Sequence, residues 1–532
     1  MGNLGMKKKH SNASRILSPL IIILCLVICP ITKRPLLAQD TQRKVSEASE
    51  KGREKKGPEK FPESKPSVTH HSIEINGKKL NYTATTGSIQ LKDDAGKVRA
   101  SMFFVAYTKD NEEGKSRRPI TFAFNGGPGA SSVFLHLGAL GPKRALLRDD
   151  KALPPPYKLA PNEYTWLVFT DLVFIDPVGT GYSRPASGVE PKEFYGVKGD
   201  IQSVGEFIRI YLTRYQRWLS PKFIAGESYG TTRAAGLSGY LQNKLGIDLN
   251  GILLISEVLN FQTIMFSPGN DLPYVLYLPP YTLAALYHRK LSPALQADLS
   301  KTREEVEQFS LNEYTLALAK GDGLSVGEKD RIIEKLVDYT GLSKIYIKNS
   351  NLRISTDAFV KELLRNENRR IGLLDSRITG AYKIHEFAED PSVFVVTGPL
   401  VATWNDYVRN ELKYETETSY EILSAKVNEL WDWGSGTGGL GYLDVAKILQ
   451  QAMSENKFLK VFIASGYYDL DTSYFATKYT VNHLGLDPRL RNNITLTYYD
   501  AGHQMYTHLP SLKKLTGDVT EFFRKALSFP EH

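Results

Sequence analysis

With 532 residues, 42% hydrophobic and 23% charged, the chain is long enough for one large core carrying an insertion or for two domains, and its composition is that of a globular protein. A formal net charge of +9 would suit a nucleic-acid or membrane partner if it were spread over a folded surface, but six of those charges, Lys7, Lys8, Lys9, Arg15, Lys33 and Arg34, sit in residues 1–38 without an acid among them. No nucleic-acid partner is therefore expected, and because the two cysteines are Cys25 and Cys29, disulfides, Cys-based zinc sites and a Cys nucleophile are excluded from the rest of the chain.

The basic start is followed by an apolar run from Ile16 to Ile31, interrupted by Pro19 and Pro30, and by the small residue Ala38 before Gln39. This pattern predicts a secretory signal peptide over residues 1–38 and an exported, periplasmic or extracellular protein. The run is shorter than the roughly 20 residues a spanning helix needs, so no stable membrane association is expected after cleavage. Residues 39–68, rich in Lys, Glu, Ser and Pro, predict a charged, disordered linker, with order beginning near His70.

Alternating stretches at Ser72–Ile75, Leu80–Thr83 and Ser101–Thr108 predict antiparallel strands, the first two joined at Asn76-Gly77. Short apolar runs then follow at Ile120–Phe124, Leu172–Ile175, Phe223–Ala225, Ile252–Ile255, Val461–Ala464 and Ile494–Tyr498. Runs of this kind belong to strands buried on both faces of a mostly parallel sheet, which places the chain in the α/β class. Between them, residues 261–430 are helical and charged in pattern, as in Pro293–Glu307 and Val326–Asp338. The expected organisation is a core in two parts, 69–260 and 431–532, with a helical cap inserted at 261–430.

Gly226-Glu227-Ser228-Tyr229-Gly230 is a G-x-S-x-G pattern preceded by a short strand and followed by a helix from Thr231. Such an elbow exposes its serine at the head of the helix. A serine hydroxyl needs a base, and in this arrangement an acid and a histidine follow in that chain order. The strand from Val461 runs into a turn with Asp469 and Asp471, and the last strand runs into Asp500-Ala501-Gly502-His503. An oxyanion hole requires two preset N–H donors. The glycine loop Asn125-Gly126-Gly127-Pro128-Gly129 after the first long apolar strand supplies Gly127, and the elbow supplies Tyr229.

These segments resemble successive blocks of the serine carboxypeptidases, peptidase family S10, and point to a bacterial-type member. The blocks are Asn125 to Ser132, Asn162 to Trp166, Asp176 to Ser183, Gly226 to Gly230 and Ala501 to His503. The resemblance implies an α/β-hydrolase fold with an inserted helical cap and removal of carboxyl-terminal residues from peptides. It implies Ser228 as nucleophile, His503 as base and Asp469 as orienting acid, with Asp471 in reserve. It further implies that Asn125, Gly126 and Glu227 hold the substrate's terminal carboxylate, which requires a protonated Glu227 and favours acidic pH. The chain departs from the family at Ala123, where a Trp is usual, at Ala139, where a Glu is usual, and at Ala130, where a Cys is usual.

The resulting expectation is a secreted serine carboxypeptidase that acts on peptides through an acyl-enzyme. An esterase or acyltransferase on the same machinery is the alternative, and a non-catalytic binding protein is disfavoured by the complete Ser, Asp and His set. No metal site and no Gly-Lys-Ser nucleotide loop is present in the sequence, so no cofactor is expected, and nothing in it specifies an oligomeric state.

Overall fold

The computed structural model describes residues 65–110, 117–148, 152–382, 390–436 and 441–528. The expected signal peptide and nearly all of the expected linker lie outside these residues. Strand β1 (Ser67–Ile75) begins three residues before the expected His70 and turns through Asn76 and Gly77, both with positive φ, into β2 (Lys78–Lys92). Two left-handed residues in succession match the twist of an antiparallel pair. β2 is much longer than Leu80–Thr83 because burial goes on alternating through Leu91, where threonines and a glycine hide the period, and it pairs along its length with β3 (Val98–Lys109).

All six apolar runs form strands: β4 (Ile120–Phe124), β5 (Asp171–Ile175), β6 (Lys222–Glu227), β7 (Gly251–Ile255), β8 (Lys460–Gly466) and β9 (Ile494–Tyr499). The ten-stranded sheet has the order β1-β2-β3-β5-β4-β6-β7-β8-β9, with the short strand Arg184–Pro185 pairing β3. From β5 to β9 every neighbouring pair is parallel. Helices α1 (Val197–Arg214) and α2 (Tyr229–Leu245) flank β6 in the chain; the segment after β7 carries α3 (Leu272–Tyr287), α4 (Leu299–Phe309), α5 (Val326–Thr340) and α6 (Pro391–Asn410). Then come α7 (Ala446–Glu455), α8 (Tyr474–Asn482) between β8 and β9, and α9 (Leu509–Leu527).

The strands read as unbroken apolar runs because both faces are covered. Phe122, Ile224, Leu254 and Ile463 pack with α1, α2 and α7, whereas Ala123, Phe223, Leu253 and Phe462 pack with α6 and α9. The chain passes from β4 to β5 on one side and returns to β6 on the other. The crevice at the carboxyl ends of β4 and β6 is thus the topological switch point where open α/β sheets bind ligands.

The segment expected as a cap is divided. Helices α3, α4 and α5 form a separate apolar cluster that also takes in Tyr468, Leu470 and Tyr474 from beyond β8. α6 instead packs into the sheet, burying Val396, Leu400, Trp404 and Val408, a stripe at four-residue spacing, in the core. A short hairpin, Arg369–Ile371 with Thr379–Ala381, was not anticipated. The segment after α6 returns to the core through bridges between Glu421 and Gly181 and between Leu423 and Ala130.

Candidate active site

Ser228 stands alone between β6, which ends at Glu227, and α2, which begins at Tyr229. Its φ of 59° and ψ of −133° are those of a strained elbow, held in part by its N–H donating to Ile255 O at 3.0 Å. Glycine is required around it by close backbone approach. A Cβ on Gly226 would lie 2.2 Å from Gly230 O, and one on Gly126 would lie 2.4 Å from Tyr229 N. The glycine loop therefore packs directly against the first turn of α2, with the Gly126 and Tyr229 backbones in contact and Gly127 next along the loop. Ser228 is half-buried and lines a cavity of about 320 Å³ together with Asn125, Gly126, Gly127, Glu227 and His503.

β8 and β9 are adjacent and parallel, so the loops at their carboxyl ends lie side by side: a Cβ on Gly466 would meet Gly502 O at 2.2 Å. This contact brings Asp469 to His503. His503 Nδ1 and Asp469 Oδ2 are 2.8 Å apart, both residues buried. With Nδ1–H donating to the carboxylate, Nε2 is left as the proton acceptor. Asp469 is itself oriented by three donors, the N–H groups of Asp471 and Thr472 to Oδ1 and the Thr472 hydroxyl to Oδ2 at 2.7 Å. Asp471, the reserve candidate, makes no hydrogen bond to His503 but lines the same cavity. Burial pushes its carboxyl up to about 6, with His503 opposing the rise.

Burial alone would lower the His503 pKa, but Asp469, with Asp471 and Glu227 beyond it, raises it on balance. That field favours the imidazolium form of His503. Ser228 and His503 face the same cavity, and no hydrogen bond yet joins Oγ to Nε2. Such contacts are often long in an unliganded site and tighten with substrate.

Residues 75–517 match the family model described as serine carboxypeptidase, peptidase family S10. The chain belongs to the serine carboxypeptidase family. Among its relatives, a pheromone-processing carboxypeptidase of Yarrowia lipolytica is 29% identical over 181 residues, 33% of this chain and 26% of that protein. The retinoid-inducible serine carboxypeptidase of Rattus norvegicus is 26% identical over 316 residues, 56% of this chain and 61% of that protein. The chain thus spans about a quarter to three-fifths of these relatives' lengths. A solved prohormone-processing carboxypeptidase of Saccharomyces cerevisiae superposes with a TM-score of 0.53 at 17% identity, covering 83% of this chain and 91% of that one, which establishes the shared α/β-hydrolase fold.

Within this serine carboxypeptidase-family site, Glu227 is buried beside Ser228, and burial pushes its carboxyl up to about 7, opposed chiefly by His503. Its Oε2 and the buried Tyr506 hydroxyl each have no hydrogen-bond partner among the described residues. Asn125 Oδ1 accepts from Leu135 N–H at 3.0 Å, leaving its amide N–H groups as donors. Ala123 and Ala139, the positions that depart from the family, are fully buried apolar packing. At the preceding residue, Gly138, the space belongs to Tyr506: a Cβ there would fall 2.4 Å from its ring. Although no well-formed hydrogen bond joins the two groups, the Tyr506 hydroxyl acts on Glu227 in favour of its carboxylate form and so opposes the rise in its pKa.

Tyr506 was not found by sequence reasoning, and neither was the buried ion pair beneath the glycine loop. Arg233 Nε donates to Asp200 Oδ2 at 2.7 Å and Nη1 to Asn125 O at 2.6 Å, with the guanidinium over the Phe124 and Tyr229 rings. This brace fixes the loop that carries Asn125 to Gly127. Its one sequence signal is an arginine among the alanines and glycines of α2. Asp176, in the Asp176 to Ser183 block, has an architectural role. It accepts from the Ser132 N–H and hydroxyl at 2.8 Å each, and Gly181 must be glycine because a Cβ would strike its carboxylate. His136 is a buried core residue, stacked on Phe174 and bonded to the Tyr107 hydroxyl, its pKa pushed down to about 3 by burial. Among the described residues no cluster of metal-ligating side chains occurs.

Proposed function

We propose that this chain is a serine carboxypeptidase that removes carboxyl-terminal residues from peptides. The observation that carries the reading is the 2.8 Å contact of His503 with Asp469 at the wall of the cavity that Ser228 enters from its strained elbow. Ser228 Oγ attacks the scissile carbonyl while His503 Nε2 takes its proton, and Asp469 steadies the imidazolium. The oxyanion accepts hydrogen bonds from the Gly127 and Tyr229 N–H groups, the latter at the positive end of α2. His503 then returns the proton to the leaving amine. Water, deprotonated by His503, cleaves the acyl-enzyme and restores Ser228.

Protonated Glu227, with Asn125 and the Gly126 N–H, receives the terminal carboxylate of the substrate. A carboxyl that ionises near 7 can donate to that carboxylate below this pH and repels it above. Residues 1–38 support export to the periplasm or outside the cell, and peptides are the expected partners. Ala123 and Ala139, which remove family groups from this network, favour an esterase or acyltransferase as the second reading. A fluorophosphonate should label the protein at Ser228 and not label Ser228→Ala. A dipeptide with a free terminal acid should be cleaved in strong preference to its amide. Equal rates on the two would turn the reading to the esterase, and no labelling would end both.

A further inference from the structure

The two halves of the catalytic apparatus are held from different places. The Ser228 elbow is braced by the core, but the His503 loop is gripped by residues 373–377, which lie between the short hairpin strands of the inserted segment. Leu374 O accepts the His503 N–H at 2.6 Å, and Leu373 O accepts the Leu470 N–H at 3.0 Å, one residue past Asp469. Ser376 N–H donates to Tyr468 O at 2.9 Å. Asp375 Oδ2 accepts the Gly502 N–H at 3.2 Å, and both its oxygens receive the Arg377 guanidinium. Arg377 Nη1 in turn donates to Asp500 O at 3.0 Å. Gly502 has no room for a side chain, since a Cβ would lie 2.4 Å from Leu374 O and 2.5 Å from the Asp375 Cβ.

From this geometry we propose that the inserted segment sets the position of the catalytic imidazole, with Asp375 as a positioning residue acting through the Gly502 and His503 backbone. The proposal rests on the reading of His503 as base. The fold explains the need for such a clamp. β9 is the edge strand of the sheet, paired on one side with β8, so the loop that leaves it lacks the second neighbouring strand that supports the loops after β4 and β6. The clamp reaches the cavity wall as well. Asp390, which lines the cavity at the start of α6, accepts the N–H groups of both Leu373 and Leu374 through Oδ2. Two carboxylates of the insertion, Asp390 and Asp375, therefore fix the strip whose carbonyls hold the base and the acid turn.

The test is kinetic. Asp375→Ala should lower kcat about tenfold with KM within about twofold, because displacing a catalytic group costs rate rather than binding. It should slow fluorophosphonate labelling of Ser228 by the same factor, a reaction that needs His503 but no peptide. Asp375→Asn, which keeps an acceptor for the Gly502 N–H, should recover most of the loss. A folded Asp375→Ala protein with wild-type kcat and labelling rate would overturn the proposal, and so would an Asn variant as slow as the Ala one. Should Asp375→Ala not fold, Arg377→Met, which removes the guanidinium holding Asp375 and the Asp500 carbonyl, decides the matter: slowed labelling supports the clamp and an unchanged rate overturns it. Wild-type protein that takes no label at all would instead overturn the function proposed above.

Discussion

The Ser228 side and the His503 side of this site are built by opposite means. Around Ser228 the geometry comes from within the sheet core: glycines at 126, 226 and 230 let two backbones touch, and a buried arginine on α2 ties the loop beneath. Around His503 it is remote, since the imidazole is aimed by Asp469 on the neighbouring strand's loop and by a strip of the insertion about 130 residues earlier in the chain. In the proposed mechanism, a site half preset by the core and half held by an insertion keeps its nucleophile and oxyanion donors rigid while its base depends on how the insertion sits.

The largest effects are expected at the reacting atoms. Ser228→Ala should abolish turnover, with a loss on the order of 10⁶-fold in kcat by analogy with other serine hydrolases, measured on a free-acid dipeptide. Asp469→Asn should cost about 10⁴-fold, because the amide favours the wrong imidazole tautomer. Asp471→Asn should cost far less, since that carboxylate does not bond to His503; equal losses would reverse the assignment of the acid.

On the nucleophile side, Arg233→Met leaves the Asp200 carboxylate buried without its partner and should destabilise the protein by about 3–5 kcal/mol, read by denaturant unfolding. The base side should respond to Asp375 substitution in rate before stability.

The pH dependence sharpens the picture of the carboxylate end. Glu227 has its folded pKa raised, so its neutral form persists up to about 7 and is lost above it. KM for a free-acid peptide should therefore rise as pH climbs through that value, while KM for the amide stays level. Glu227→Gln, which cannot ionise, should flatten the rise. The smallest effect is expected from Tyr506→Phe: Tyr506 lowers the Glu227 pKa, so its loss should move the rise in KM to higher pH with little change in kcat. A shift to lower pH would show that Tyr506 bears on Glu227 in the opposite sense.

What could be read in the sequence follows the same division. The six parallel strands and the elbow were legible because burial on both faces and backbone crowding restrict residue type over a few consecutive positions, as at Phe223–Ala225 and Gly226 to Gly230. His503 and Asp469 were legible through strand ends and the family's block order. Tyr506, Asp200 and Asp375 were not, since each bears on the site through residues distant in the chain and sits in a stretch with no distinguishing period. The packing partner of α6 was not legible for a related reason: an apolar stripe shows that a helix is covered on one face, but not whether a cap or the sheet covers it.

The most direct measurement is a crystal structure of the protein after reaction with a fluorophosphonate. We expect phosphorus bonded to Ser228 Oγ, His503 Nε2 within about 3 Å of that oxygen, and the phosphoryl oxygen accepting from the Gly127 and Tyr229 N–H groups. An adduct with His503 turned away from Oγ, or with the phosphoryl oxygen bound elsewhere, would contradict it.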